Sequence, residues 1–333
     1  MLKPSSNSKV LASALTGALM AVACLTTPAA AQSKKTDVRI ATGTPGGAYY
    51  VMGAVLADVV RRSGQFAGSS AEASSGSLES ARLIASGEVT LAGMDANWVK
   101  AAYLGQAPFK QKLDVRTVLP MGAWPLFFIS LESSSISNIA DLKGKRIAVG
   151  AKGSGMEQHA RTVLGSIGLT FNDITPVYLA FGPGSAAVRE GTADAQLQCC
   201  IPNAGLTELT ELSKTRVVSL TPEQMAKVMA SEGVYDDGVL KKGAIRHLAN
   251  DTPSLSILNG WIGMASMSED TAYMLAKIFI EQLDEIAKKA PQYVSVREEM
   301  FAKAQTRGAS ALEAGAPLHP GAARAFKEAG ILK

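Results

Sequence analysis

The chain has 333 residues, of which 47% are hydrophobic and 19% charged, with a formal net charge of +4. That length suits two ordinary domains, and that balance excludes a disordered chain. A small net charge and an aromatic content of 6% exclude a basic, base-stacking nucleic-acid binder.

The first residues read as an address. Lys3 and Lys9 form a positive start, residues 10–25 are an apolar run, and Ala29-Ala30-Ala31 offers a small-residue cleavage site before Gln32. We expect residues 1–31 to be a cleaved signal peptide, cut after about Ala31, which sends the mature chain to the periplasm. Ser13, Thr16 and Gly17 interrupt the run and argue against a retained span. Cys24 raises a lipidated variant, but Ala21-Val22-Ala23 lacks the large aliphatic residue such a site wants. Loss of Lys3 and Lys9 leaves a net charge of +2.

Residues 38–42 read as a buried strand. Met52, Val55, Leu56 and Val59 then recur at helical spacing. Ala73-Ser74-Ser75-Gly76-Ser77 is a loop, followed by a helix over 78–86 and a strand over 89–93. This βαβα order predicts parallel strands with helices on their faces. Pro120 and Pro125 argue against one regular strand through 117–131, so the expected strand is 126–131, carrying the chain into a second unit.

That unit reads as a strand at 146–150, a helix at 156–167, strands at 177–179 and 195–198, helices at 185–190 and 204–212, and a strand at 216–220. Thr221-Pro222-Glu223-Gln224 matches a capping box with proline at the first helical position. Apolar segments at 255–258 and 261–264 precede a long amphipathic helix over 269–287. Ser295 and Glu298 predict another capped helix, and Pro320 starts the last.

One pattern occurs twice. Arg39-Ile40-Ala41 runs into Gly43-Thr44-Pro45-Gly46-Gly47, and Arg146-Ile147-Ala148 runs into Gly150-Ala151-Lys152-Gly153-Ser154-Gly155. Neither loop is G-x-G-x-x-G, neither leads to G-K-[ST], and no acid follows the first at ribose-binding distance. What remains is a helix N-terminus with unpaired N–H groups and partial positive charge, which holds a carboxylate or phosphate without a cation. Thr44, Ser77 and Ser154 add hydroxyls there. Two such loops in two units point to one ligand between them.

Other residues say less. His159, His247 and His319 are scattered and lack metal-ligand spacing, so no metal or cofactor is expected. Arg82, Arg161 and Arg189 are helix-surface cations or partners for an acidic ligand. Tyr49, Tyr50, Trp98 and Trp124 stand near the loops as pocket walls or as core. Cys199 and Cys200 are adjacent; a bond between neighbours closes a strained ring. They therefore read as two small buried side chains at a strand end, or as a redox or nucleophilic thiol pair, the latter serving an enzyme.

The stretches IATGTPGGAYYVMG, ASSGSLESARLIASGEVTLAG, DLKGKRIAVGAKGSGMEQHARTVLGSIGL, REGTADAQLQCCIPNAGLTEL and PLHPGAARAFKEAGI resemble the TAXI class of TRAP-transporter solute-binding proteins. The resemblance implies an α/β, two-lobed periplasmic-binding fold of type II-like form, with two mixed, mainly parallel sheets, flanking helices and crossover strands. It places lobe 1 at 32–127 plus 222–333 and lobe 2 at 128–221. It implies a monomer that binds a small organic acid or amino acid, closes on it without chemistry and delivers it to a TRAP permease. By position, the family's ligand contacts fall on Thr44, Gly47, Ala48, Tyr49 and Tyr50, on Ser77, and on Ser154, Gly155 and Met156. Cys200 and Asn203 fall in its cleft-facing small-residue segment.

This chain departs from the pattern at Pro45, at Val51-Met52, and at Asp95-Ala96-Asn97, where the family tends to have Gln-Ser-Asp. Asp95, Asn97, Trp98 and Trp124 complete the candidate set, and the change at 95–97 argues against assuming a glutamate ligand. The alternatives are a binding protein for an ABC importer or a sensor kinase, an enzyme on this fold that uses Cys199 or Cys200, and a surface adhesin.

Overall fold

Val38, Ile40 and Ala41 are fully buried while Asp37 and Arg39 are exposed, the alternation of a strand that becomes covered on both faces only at its carboxyl end. In the computed structural model they form β1 (Asp37–Ala41), which leads into α1 (Ala48–Arg62). The structure describes residues 36–45, 47–232 and 234–333. The expected signal peptide and Cys24 lie outside the described residues.

The order continues β2 (Gly68–Glu72), α2 (Ser77–Ala85), β3 (Leu91–Asp95), α3 (Ala96–Leu104) and the long β4 (Val115–Leu131). Next come β5 (Arg146–Ala148), α4 (Gly155–Ser166), β6 (Thr175–Val177), α5 (Phe181–Arg189), β7 (Ala195–Gln198), α6 (Ala204–Leu212) and β8 (Thr215–Val218). The chain closes with α7 (Pro222–Glu232), β9 (Tyr235–Leu240), β10 (Thr252–Met264), α8 (Glu269–Lys289), α9 (Ala302–Arg307) and α10 (Pro320–Glu328). β2, α3 and β9 were not foreseen: β2 (GSSAE) and β9 (YDDGVL) are rich in Gly, Ser or Asp and carry weak periodicity, and α3 (ANWVKAAYL) is a short helix of nine residues.

Strand order is β2-β1-β3-β10-β4-β7-β5-β6, with β8 on β4 and β9 on β10. β1 pairs in parallel with β2 and β3, and β5 in parallel with β6 and β7. The long strands β4 and β10 run antiparallel to their neighbours. The α/β class and mixed pairing are as expected; in place of two mainly parallel sheets, the described strands join through β4 into one ten-stranded order with four parallel and five antiparallel pairings. β4 links the two halves: it pairs with β10 up to Leu126 and with β7 from Phe127.

The prolines do not stop β4, contrary to the sequence expectation. Pro120 pairs with Gly260 and Pro125 with Ser256. Along that stretch β4 has β10 on one edge, while β7 and β8 pair only from Phe127. A missing N–H on the unpaired edge costs no ladder bond. The register also shifts between Asn259 and Gly260, as a bulge beside proline allows.

Thr221 and Gln224 form the expected box: the Thr221 N–H donates to Gln224 Oε1 at 2.9 Å and the Gln224 N–H donates to Thr221 Oγ1 at 3.2 Å. Ser295 does not cap its helix. It accepts from the Ala123 N–H at 3.3 Å and donates to the Gln292 carbonyl at 3.4 Å, and the following turn is a π-helix over Val296–Phe301. Buried Ala272, Leu275, Ala276, Phe279, Leu283 and Ile286 line one face of α8 at the spacing of an amphipathic helix. No described helix is long and apolar enough to cross a membrane.

Candidate ligand-binding site

Parallel strands bring their carboxyl ends to one edge, and the helices that follow start there. β1, β2, β5 and β6 do this from the two halves of the sheet, leading into α1, α2, α4 and α5, and the ends of β3 and β7 reach the same place with Asp95, Cys199 and Cys200. Between them lies a cavity of about 120 Å³, room for on the order of ten water-sized groups. The first residues of α1, α2, α4 and α5 all line it: Gly47 and Ala48, Gly76 and Ser77, Ser154 and Gly155, Ala180 and Phe181. Four sets of orphan N–H groups and four positive dipole ends therefore share one space.

Local bonds hold these ends in place. The Ser74 hydroxyl donates to the Thr42 carbonyl at 2.7 Å and Thr42 Oγ1 donates to the Glu72 carbonyl at 2.8 Å, tying the first two loops together. Gly76, the N-cap of α2, has φ +127 and ψ −167, a region open essentially to glycine alone. Ser154 caps α4 by accepting from the Glu157 N–H at 3.3 Å.

Among the described residues no lysine or arginine lines the cavity, and Asp95 is its only carboxylate. Arg161 pairs with Glu157 and Arg189 with Glu190 and Glu208, on the exposed surface, and Arg82 is exposed. Asp95 is buried at the end of β3. The Ser77 hydroxyl donates to its Oδ2 at 3.0 Å, and the Trp98 N–H donates to its Oδ1 at 3.4 Å. Across the cavity it lies directly on the first turn of α4. A Cβ at Gly155 would stand 1.7 Å from Asp95 Oδ2, so only glycine permits this approach.

His159 sits one turn further along α4, with Nε2 3.7 Å from Asp95 Oδ1, beyond hydrogen-bond distance. Its Nδ1 lies 2.9 Å from both Asn97 Nδ2 and the Tyr235 hydroxyl, and Asn97 Nδ2 donates to that hydroxyl at 3.0 Å. Assigned from this network, Nδ1 accepts and Nε2 carries the hydrogen, a buried donor with no hydrogen-bond partner among the described residues. Burial pushes the imidazole pKa down, against the pull of Asp95, so His159 is neutral. Burial first, then the Asp95 charge, raises the Tyr49 phenol, which stays protonated and donates to Asn259 Oδ1.

An unfolded chain protonates His159 near the ordinary value of about 6.5, whereas the folded chain does so only at lower pH. Stability present above that value is lost as pH falls below it, because the unfolded state then binds more protons. His319 is shifted the same way by burial and adds to the loss. We expect the urea midpoint to drop between pH 7.5 and 5, and to drop less in His159→Gln. Equal drops in both proteins refute the role given to His159.

Of the residues singled out from sequence, Thr44, Gly47, Ala48, Tyr49, Ser77, Asp95, Ser154, Gly155, Met156 and Cys200 line the cavity. The other five do not. Tyr50 is on the outer face of α1 and exposed. Asn97 is buried in the His159 network, and Trp98 packs on Phe109 at 6.0 Å in the core. Trp124 lies behind Tyr49, ring centroids 5.8 Å apart, and donates to the Gln292 carbonyl at 3.2 Å. Asn203 caps α6 through the Leu206 N–H.

His159, Asn259, Gln196 and Phe181 also line the cavity and were not foreseen. His159 alone left a signal, four residues after Gly155 on one helix face. Cys199 and Cys200 correct the expectation of unbonded side chains, for a disulfide joins them. The thiol-nucleophile reading loses its free thiol.

A family model described as NMT1-like matches residues 40–330. The chain belongs to the NMT1-like family. A curated Escherichia coli (strain K12) protein, named as an aliphatic sulfonates-binding protein, is 36% identical over 93 residues. That match covers 28% of this NMT1-like chain and 25% of the curated protein. Among solved structures, a Bordetella bronchiseptica RB50 protein superposes with a TM-score of 0.54 at 16% identity, covering 89% of this chain and 99% of the other. MatC from Rhodopseudomonas palustris with bound malate also gives 0.54, at 14% identity, over 80% and 92% of the two chains. These likenesses show the periplasmic-binding fold. None bears out the TAXI resemblance itself, and the sulfonate-binding name points away from it.

Proposed function

We propose that this protein is an exported solute-binding protein that holds a small organic anion, a carboxylate or sulfonate, and delivers it to a membrane permease. The observation that carries this reading is the convergence of four helix N-termini on one cavity that, among the described residues, no basic side chain lines. Such a site satisfies an anion through backbone N–H groups. In this reading residues 32–127 with 222–333 form one lobe, residues 128–221 the other, and hinge closure traps the solute. Residues 1–31 direct export to the periplasm. The bound malate of MatC and the sulfonate-binding name of the curated relative fit the same ligand chemistry.

For the permease, we prefer an ABC importer to the TRAP partner, because a curated relative of this chain carries a sulfonate-binding name rather than a TAXI one. The test is a thermal-shift panel of dicarboxylates, keto acids and alkanesulfonates on ligand-stripped protein, with mass spectrometry of whatever acid survives purification. We expect one acid class to raise the melting temperature and to co-purify. A panel without any shift overturns the anion reading.

A further inference from the structure

Beyond β7 the chain turns sharply at Cys199 and Cys200. Both side chains are buried, at 2% and 6% exposure, and both line the cavity. Cys200 has φ +57, the left-handed region that a side chain bearing a Cβ enters only at a cost. The disulfide closes the pair into one small ring, a covalent constraint that holds this conformation.

The same turn reaches across the molecule. Gln292 Nε2 donates to the Pro202 carbonyl at 3.0 Å, and Asn203 Nδ2 donates to the Cys199 carbonyl at 3.2 Å. The Gln292 carbonyl accepts from Trp124 Nε1, and Trp124 backs Tyr49 on the opposite cavity wall. The ring therefore shapes one wall directly and is tied to the other through Pro202, Gln292 and Trp124.

We propose that the Cys199–Cys200 disulfide is a redox-modification site for dithiol reductants, and that its state sets the solute affinity of the cavity. A thiolate of the reductant attacks one sulfur, the S–S bond breaks and a mixed disulfide forms. The second reductant thiol resolves it, leaving two cysteine thiols and an oxidised cyclic disulfide. Two electrons and two protons come from the reductant. With the ring open, Cys200 relaxes from the left-handed region, the turn shifts, and the Pro202 carbonyl leaves Gln292. Because both cysteines line the cavity, a solute bound there sits beside the pair, and by linkage a reduction that weakens the solute is itself disfavoured by the solute through the same factor at equilibrium.

The solute clause rests on the function proposed above, so the experiment separates the two. Cys24 is the only other cysteine in the chain, and protein exported and processed at Ala31 lacks it. First, without any solute, hydrogen exchange at residues 199–203 and 291–293 is compared before and after dithiothreitol. We expect both segments to exchange faster once reduced, and unchanged exchange overturns the proposal. Second, with malate or ethanesulfonate as probe, we expect affinity to fall by at least about fivefold on reduction, and the saturating probe to shift the dithiothreitol reduction equilibrium towards the disulfide by a like factor. Equal affinity in both states overturns the proposal. If neither probe binds the oxidised protein, the anion reading suffers and the exchange result still decides the redox site. Cys199→Ser/Cys200→Ser should match the reduced protein and ignore dithiothreitol; a double variant that keeps full affinity counts against us.

Discussion

Gly155→Ala is expected to weaken solute binding by tenfold or more while the protein still folds. The added Cβ would stand 1.7 Å from Asp95 Oδ2 and 2.7 Å from its Cγ. Asp95 has little room to yield, since it is buried and held by the Ser77 hydroxyl and the Trp98 N–H. Either those bonds break or the two sides of the cavity move apart. Overpacking of this kind costs about 1–3 kcal/mol, and a loss of 1.4 kcal/mol in binding is roughly tenfold. Titration calorimetry with the acid found in the thermal-shift panel reads the affinity. Asp95→Ala relieves the clash, so the double variant should be more stable than the sum of the two single losses predicts. Additive losses, or an unchanged affinity in Gly155→Ala, reject the contact as a determinant of the site.

Trp261→Ala should cost the most stability of any single change considered. Trp261 is fully buried in β10 between β3 and β4. Its ring covers two glycines: a Cβ at Gly53 would meet Cη2 at 3.0 Å, and one at Gly93 would meet Cζ3 at 2.9 Å. Its Nε1 donates to the Tyr293 hydroxyl at 2.8 Å, which in turn donates to the Met52 carbonyl at 3.4 Å. Truncation leaves a cavity that the neighbouring strands cannot fill and is expected to cost about 3–5 kcal/mol. Trp261→Phe keeps a ring over the glycines but drops the N–H, for about 1–3 kcal/mol. A guanidinium midpoint shift at unchanged slope measures both. A fall under 1 kcal/mol for the alanine variant refutes the central role of this side chain. Tyr49 also lies over Gly93, so the alanine variant should lose solute affinity as well.

The elements were legible where local rules act alone. β7 and α6 lie at the residues that periodicity indicates, and the Thr221–Gln224 box closes as its spacing requires. The loops at Gly43–Gly47 and Gly150–Gly155 announced helix N-termini because glycine, serine and threonine before an apolar-periodic run have few other uses. The length of β4 was hidden, since Pro120 and Pro125 are harmless only when one edge of the strand is free, and edge status is a property of the sheet.

The ligand-binding candidates divided in the same way. Residues at the helix starts reached the cavity because the backbone itself aims them. Tyr50, Trp98 and Trp124 did not, because the direction of an aromatic side chain depends on which helix face the core covers. His159 entered the site from one half of the sheet while Asp95, Asn97 and Tyr235 came from elsewhere in the chain, a meeting that no local pattern encodes. The Cys199–Cys200 bond occurs in a turn with Cys200 at positive φ, and spacing alone argued against it. Composition and periodicity thus determined an α/β chain with anion-friendly helix starts. Tertiary structure decided that these starts share one cavity, because only the antiparallel passage of β4 and β10 brings both sets of strand ends to the same place.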